Sequence, residues 1–178
     1  MKVTDKYVLF WKEEPFCNFT KCKIKFTWAD SEKGEEIYFT SSEQMFMWLK
    51  AKFFMDDKTA DKILAAESPE EARKLGREVK NYNDKKWSKV RYAYMSRAVT
   101  YKFAQNPELR NQLCDPKYDG LKFVEAAYYD RIWGIGYDEN QALHTPVESW
   151  GENLLGKLLN EVRDWCIENK NIFIPCYK

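Results

Sequence analysis

Hydrophobic and polar positions alternate cleanly near the start of the chain and then change period. Lys23-Ile24-Lys25-Phe26-Thr27-Trp28 puts Ile24, Phe26 and Trp28 on one face, which predicts a half-buried strand. Tyr7-Val8-Leu9-Phe10-Trp11 is a short continuous apolar run and predicts a buried strand. The polar stretch from Ala29 to Glu36, with Gly34 in it, predicts a turn, and Ile37-Tyr38-Phe39 returns as the second arm of a hairpin. Pro15-Phe16-Cys17-Asn18-Phe19 reads as a loop between the first two strands.

From Thr40 the period becomes helical. Thr40-x-x-Glu43 and Ser41-x-x-Gln44 both fit a capping box, so a helix begins here. Met45, Trp48, Leu49 and Phe53 share one side of it, while Phe46 and Met47 lie on others. A helix apolar on nearly every face is a buried one. A short amphipathic piece follows from Asp57 to about Ala66. Ser68-Pro69-Glu70-Glu71 combines an N-cap with proline at the first helical position, and Gly76 is the expected end of that helix. Asn83 or Asp84 starts a longer helix striped by Trp87, Val90, Tyr94, Ala98 and Tyr101, which must stop by Asn106 because Pro107 follows. Pro107 opens a brief helix to Leu113, and Asp115-Pro116 and Gly120 mark a loop. Leu121 to Ala126 predicts a strand with Glu125 at its end; Tyr128 to Ser149 reads as a long loop. Leu155, Leu158, Leu159, Val162 and Cys166 stripe a C-terminal helix. With no repeat, low-complexity tract or linker, the expectation is one α+β domain over 1–178, mostly helical, with a small N-terminal antiparallel sheet.

Composition narrows the class. Seven Trp, eleven Tyr and eleven Phe with 32% charged residues fit neither a disordered nor a fibrous chain. No apolar run reaches membrane-spanning length, and Met-Lys-Val-Thr-Asp-Lys lacks the apolar core of a signal peptide. A soluble, cytoplasmic protein without a membrane partner is expected. Its five scattered cysteines contain no C-x-x-C and the chain has one histidine, His144, so free thiols are expected and a zinc site is not. Nothing near His144 supports a Cys-His nucleophile. The net charge of +1 leaves no overall footprint for nucleic acid, and the basic residues between Arg73 and Lys102 are interleaved with acids, as on a solvated helical face.

The chemistry candidates are few. Glu43 and Lys50 are seven residues apart on the apolar helix, hence on one face and about 10 Å apart along its axis. Two readings of this pair stand open. Glu43 favours the positive helix end while Lys50 snorkels to water, or a carboxylate and an amine are presented together into a pocket. Glu125 at a strand end, then Asp130 and Trp133-Gly134-Ile135-Gly136, form a second group, in which glycine permits close approach of a ligand or simply a tight turn. There is no P-loop, dinucleotide fingerprint or nucleophile elbow.

Taken in order, several short motifs resemble the NADAR family, the YbiA-like N-glycosidases. They are Ser42-Glu43-Gln44, Lys50-Ala51 with Phe53, and Gly76-Arg77 with Val79. Trp87, Val90-Arg91, Met95, Lys102-Phe103 and Leu109 follow. The series closes with Val124-Glu125-Ala126, Asp130-x-x-Trp133-Gly134-x-Gly136 and Asn153-x-Leu155-Gly156 followed by Arg163. The resemblance runs from about residue 10 to 166. Two features differ: Gln44 stands where some members carry His, and the stretch Tyr137 to Ser149 is longer than the family's connection to Asn153.

The resemblance implies a YbiA-like fold and hydrolysis of an N-glycosidic bond to a ribose phosphate or ADP-ribose. Substrates would be riboflavin-pathway ribosylamino-pyrimidine phosphates or ADP-ribosylated guanine, with nucleic acid as a possible carrier. It implies Glu43, Lys50, Glu125 and Asp130 as catalytic positions, and Trp133, Gly134, Gly136, Arg77, Trp87 and Asn153 as substrate-binding ones. The residues suit that chemistry, because carboxylates supply a general acid and stabilise oxocarbenium-like charge. Glu43 is the expected acid/base, assisted by Glu125 or Asp130. Lys50, if burial lowers its pKa, could attack the opened sugar as a Schiff base. Arg77, Arg91 and Arg97 are candidates for phosphate. No metal or redox cofactor is needed. Two other readings stay open: a module that binds ADP-ribose or a nucleotide without turnover, and an interaction protein with an exposed apolar patch.

Overall fold

The computed structural model describes residues 1–12, 15–28 and 35–169, and of Trp28 the backbone only. The expected turn at 29–34 lies outside these residues, as does Cys176. In chain order the strands are β1 (Lys2–Val3), β2 (Tyr7–Phe10), β3 (Ile24–Trp28), β4 (Glu35–Phe39) and β5 (Lys122–Glu125). The helices are α1 (Ser42–Phe53), α2 (Asp57–Leu64), α3 (Pro69–Arg77), α4 (Asp84–Trp87), α5 (Arg91–Gln105), α6 (Pro107–Leu113), α7 (Glu139–Leu143) and α8 (Leu154–Glu168). The architecture is the expected α+β one, with helices in the majority. The chain groups into two compact units, one of Met1–Cys17 with Pro107–Asn171 and one built on Asn18–Asn106.

In the second unit β3 and β4 form the expected antiparallel hairpin, with Ile24 opposite Phe39 and Phe26 opposite Ile37. These residues are buried, and Trp48 of α1 packs edge-on to Phe26 and Phe39. Ser41 caps α1 by accepting from the Gln44 backbone N–H. Gln44 does not close the expected box on Ser41. Its Oε1 accepts from the Thr40 N–H at 2.8 Å, and its Nε2 donates toward the carbonyls of Ile63, Leu64 and Ala66 at the end of α2. One amide thus satisfies the hairpin exit and the orphan carbonyls of a neighbouring helix. Residues 42–49 and Ala51 are buried, as a helix apolar all round should be.

One expectation here holds to within a residue and one is corrected. α3 ends at Arg77, one residue past Gly76, where a Cβ would sit 2.1 Å from Met47 Sδ. The stripe from Trp87 to Tyr101 is two helices. α4 stops at Trp87, and α5 restarts at Arg91 after Val90 leaves helical geometry (φ −121°, ψ −18°).

In the first unit β2 pairs antiparallel with β1 and parallel with β5, Phe10 lying opposite Glu125. Phe16 packs against Phe10, Tyr118 and Phe123 beneath that pair. α8 lies so close to β5 that a Cβ on Gly156 would meet the Phe123 carbonyl oxygen at 2.2 Å. The stretch 128–149 is not all loop. Asp138 and Gln141 form a full capping box that starts α7, and Val147–Ser149 is a turn of 3-10 helix.

Candidate functional site

Of the expected site residues, Glu43, Lys50, Arg77 and Trp87 fall in the second unit. The rest fall in the first. Each group is built by its own local structure.

Glu43 sits in the first turn of α1, 7% exposed, and its backbone N–H donates to the Asn18 carbonyl at 3.1 Å. Ser42 Oγ lies 3.1 Å from both the Asn18 carbonyl and its side-chain oxygen. The Pro15–Phe19 loop therefore braces the start of α1 through Asn18. Two turns along, Lys50 is half-buried in the last turn. Its Nζ donates to the Gly76 carbonyl at 2.8 Å and stands 4.4 Å from the centre of the Tyr82 ring. Burial lowers the Lys50 pKa below the usual lysine value. The Glu43 carboxylate opposes this shift, Arg77 adds to it, and Asp84 opposes it. Tyr82 holds its proton: partial burial and the hydrogen bond it donates to Asp84 raise its pKa to about 12. Glu43, Arg77 and Asp84 all act on the Lys50 charge, and Lys50 is half-buried, not fully solvated.

Tyr82, Asp84 and the Gly76 carbonyl are parts of this environment that the pattern along the chain does not announce. Their meeting depends on how α3 and α4 fold back beside α1. Trp87 has a plainer role. It is buried, stacked on Tyr94 at 5.6 Å and 18°, and tilted against Phe46, Phe53 and Phe54. It is a core aromatic of its unit.

In the first unit Glu125 ends β5, half-buried. Its backbone N–H donates to Asn153 Oδ1 at 2.9 Å, while its carbonyl accepts from Ile135 at 3.0 Å. Asn153 Nδ2 donates back to the Phe123 carbonyl at 3.1 Å. Asn153 itself is left-handed (φ 51°, ψ 43°) ahead of α8. Its amide thus clips the strand in both directions. Asp130 Oδ1 accepts from the backbone of Ile132 (2.8 Å) and of Trp133 (2.9 Å), shaping the turn that carries the half-buried Trp133. A Cβ on Gly134 would come within 2.8 Å of the Glu125 carbonyl, and Gly136 has φ +75°. Both glycines therefore serve the turn and its approach to β5. A groove of about 310 Å3 beside β5 has Asn153 on its wall, together with Tyr7, Lys122, Trp150 and Lys157.

A metal is not suggested: among the described residues no group of three or more His, Cys, Asp or Glu side chains could hold one. Cys17, Cys22, Cys114 and Cys166 are free thiols. No helix among the described residues is long and apolar enough to cross a membrane.

The family model described as the NADAR domain matches residues 9–166. This chain belongs to the NADAR family. Among relatives of this NADAR chain, N-glycosidase R617 of Acanthamoeba polyphaga mimivirus is 34% identical over 166 residues, covering 90% of this chain and 96% of that protein. N-glycosidase YbiA of Escherichia coli is 32% identical over 152 residues, 84% of this chain and 79% of YbiA. The solved NMR structure of E. coli YbiA superposes with a TM-score of 0.69 at 28% identity, covering 96% of this chain and 90% of that one. A riboflavin biosynthesis protein of Vibrio vulnificus is 32% identical over 147 residues, 83% of this chain but 34% of that protein. The YbiA-like fold and the enzyme class expected from the ordered motifs, N-glycosidase, are thus borne out.

Proposed function

We propose that this N-glycosidase hydrolyses the bond between a ribose C1′ and a nitrogen in a ribose-phosphate or ADP-ribose conjugate, with Glu43 as acid/base. The observation that carries the reading is the setting of Lys50. It is a half-buried amine whose pKa burial lowers, on a buried helix and sharing a face with Glu43. A lysine kept only for solubility needs no such place. The names of the relatives add to it: two are N-glycosidases, and one is a riboflavin biosynthesis protein.

The proposed reaction runs as follows. The C1′–N bond breaks with its electron pair going to nitrogen, which takes a proton from the Glu43 carboxyl group. Positive charge spread over C1′ and the ring oxygen is stabilised by carboxylate. Water then adds to C1′ and returns a proton to Glu43. On the covalent branch, the neutral Lys50 amine attacks C1′ of the opened sugar, loses water as an imine forms, and is released by hydrolysis. Arg77, in the same unit as Glu43 and Lys50, is the candidate for phosphate. The proposal treats 1–178 as one domain and needs no metal or redox cofactor.

The test is to incubate the purified protein with ribosylamino-pyrimidine phosphates and with ADP-ribosylated guanosine, free and in an oligonucleotide, and to follow release of base and sugar. Release from at least one substrate is expected. Saturable binding of ADP-ribose with no release from any of them would overturn hydrolysis in favour of a binding module.

A further inference from the structure

α6 ends at Leu113, and the next residue turns its sulfur toward α8: Cys114 Sγ donates to the Arg163 carbonyl at 4.0 Å. Cys166 lies three residues beyond Arg163, on the same face of α8. Its thiol hydrogen-bonds to Cys114. Arg110, on α6 one turn before Cys114, donates Nη2 to the carbonyls of Cys166 (2.7 Å) and Asn169 (2.6 Å), fixing the last turns of α8 against α6. Cys166 is 1% exposed and Cys114 half-buried, so a reagent meets the pair from the Cys114 side.

We propose that Cys114 and Cys166 form a modification site, a thiol pair that a small disulfide oxidant such as oxidised glutathione converts to an intrachain disulfide tying α6 to α8. Cys114 is the entry sulfur. Its thiolate attacks one sulfur of the oxidant, breaks the S–S bond and expels a glutathione thiolate, leaving a mixed disulfide. The Cys166 thiol then gives up its proton, attacks the Cys114 sulfur and expels the second glutathione. The two protein thiols lose two electrons and two protons, and one oxidised glutathione becomes two reduced ones. The hydrogen bond to Cys114 and burial hold the Cys166 pKa far above the usual thiol range, the Cys114 charge adding and Arg110 opposing. The second step needs the Cys166 thiolate and therefore quickens with pH. The new bond would close segment 115–165, which carries Glu125, Asp130, Trp133 and Asn153, at both of its ends. Such a closure raises resistance to unfolding.

The full-length protein is incubated with oxidised glutathione at pH 8, blocked with N-ethylmaleimide in denaturant without reduction, and peptide-mapped by mass spectrometry. A Cys114–Cys166 cross-linked peptide, two hydrogens lighter than its parts and cleaved by dithiothreitol, is expected, with a rise of several degrees in Tm. The triple variant C17S/C22S/C176S is expected to keep the cross-link. Maleimide on both Cys114 and Cys166 after oxidation would overturn the proposal, and so would glutathione on Cys114 with Cys166 still blockable. Because the wild-type map decides the matter, a triple variant that failed to fold would not weaken the test.

Discussion

Asp130 and Lys50 are both charged groups set among aromatic and small side chains, yet they are engaged in different ways. Asp130 spends an oxygen on two backbone N–H groups of its own turn, and Asn153 beside it has both ends of its amide bonded to β5. These polar groups complete the backbone, as buried loops require. Lys50 completes nothing in α1. It donates to the Gly76 carbonyl and lies over the Tyr82 ring, and burial lowers its pKa. Of two groups of expected site residues, one is thus explained largely by architecture, whereas the other includes a half-buried amine whose pKa burial lowers. That contrast is why the chemistry is assigned to the Glu43–Lys50 face and positioning to the turn around Trp133.

The contrast can be broken most severely at Glu43. Glu43→Gln is expected to lower hydrolysis by roughly a hundred-fold to ten-thousand-fold, the usual range for a lost general acid, with little change in urea unfolding. A variant that hydrolyses normally would remove Glu43 from the chemistry. Asn153→Ala should act in the opposite sense, on folding first. It loses two bonds to β5 and puts alanine in a left-handed conformation, at a cost of about 3 kcal/mol, read as a lower denaturation midpoint. Gly76→Ala presses a methyl group on Met47 and should cost about 1–3 kcal/mol, while disturbing the carbonyl that holds Lys50.

The finest test concerns the lysine charge. Because burial lowers the Lys50 pKa, the unfolded chain binds more protons than the folded one in the window just below the ordinary lysine value of about 10.4. Stability contributed by this group therefore rises with pH through that window. Lys50→Met should flatten that rise without lowering stability at neutral pH, by the same titration. Asp84→Asn removes a charge that favours the ammonium form, so the pH at which the amine becomes reactive should move down. Arg77→Gln should move it up. Reductive methylation followed against pH reads both shifts.

How far the sequence led can be judged from particular residues. Helix starts were plain, because Ser41, Ser68 and Asn83 each accept the backbone N–H that a cap should accept. The β3–β4 hairpin was equally visible in its alternation. The pairing of β2 with β5 was not, since it is parallel and joins residues more than a hundred positions apart. β1 has two residues, both exposed, and so no apolar pattern to read. α7 carried its signal openly in Asp138 and Gln141, but an unusual length of connecting chain masked it. In the site, Glu43 and Lys50 announced themselves as charges on an apolar helix. The partners that give Lys50 its character, Tyr82 and the Gly76 carbonyl, come from elements whose approach to α1 no local rule predicts.

The claim that sets the covalent branch apart from direct attack by water, and gives Lys50 its central role, is that its amine meets sugar carbon. Sodium borohydride added during turnover, followed by peptide mapping, tests it most directly. A reduced sugar adduct on Lys50, absent from Lys50→Met, is the predicted result. Turnover with no adduct on Lys50, or with the adduct on another lysine, would contradict it.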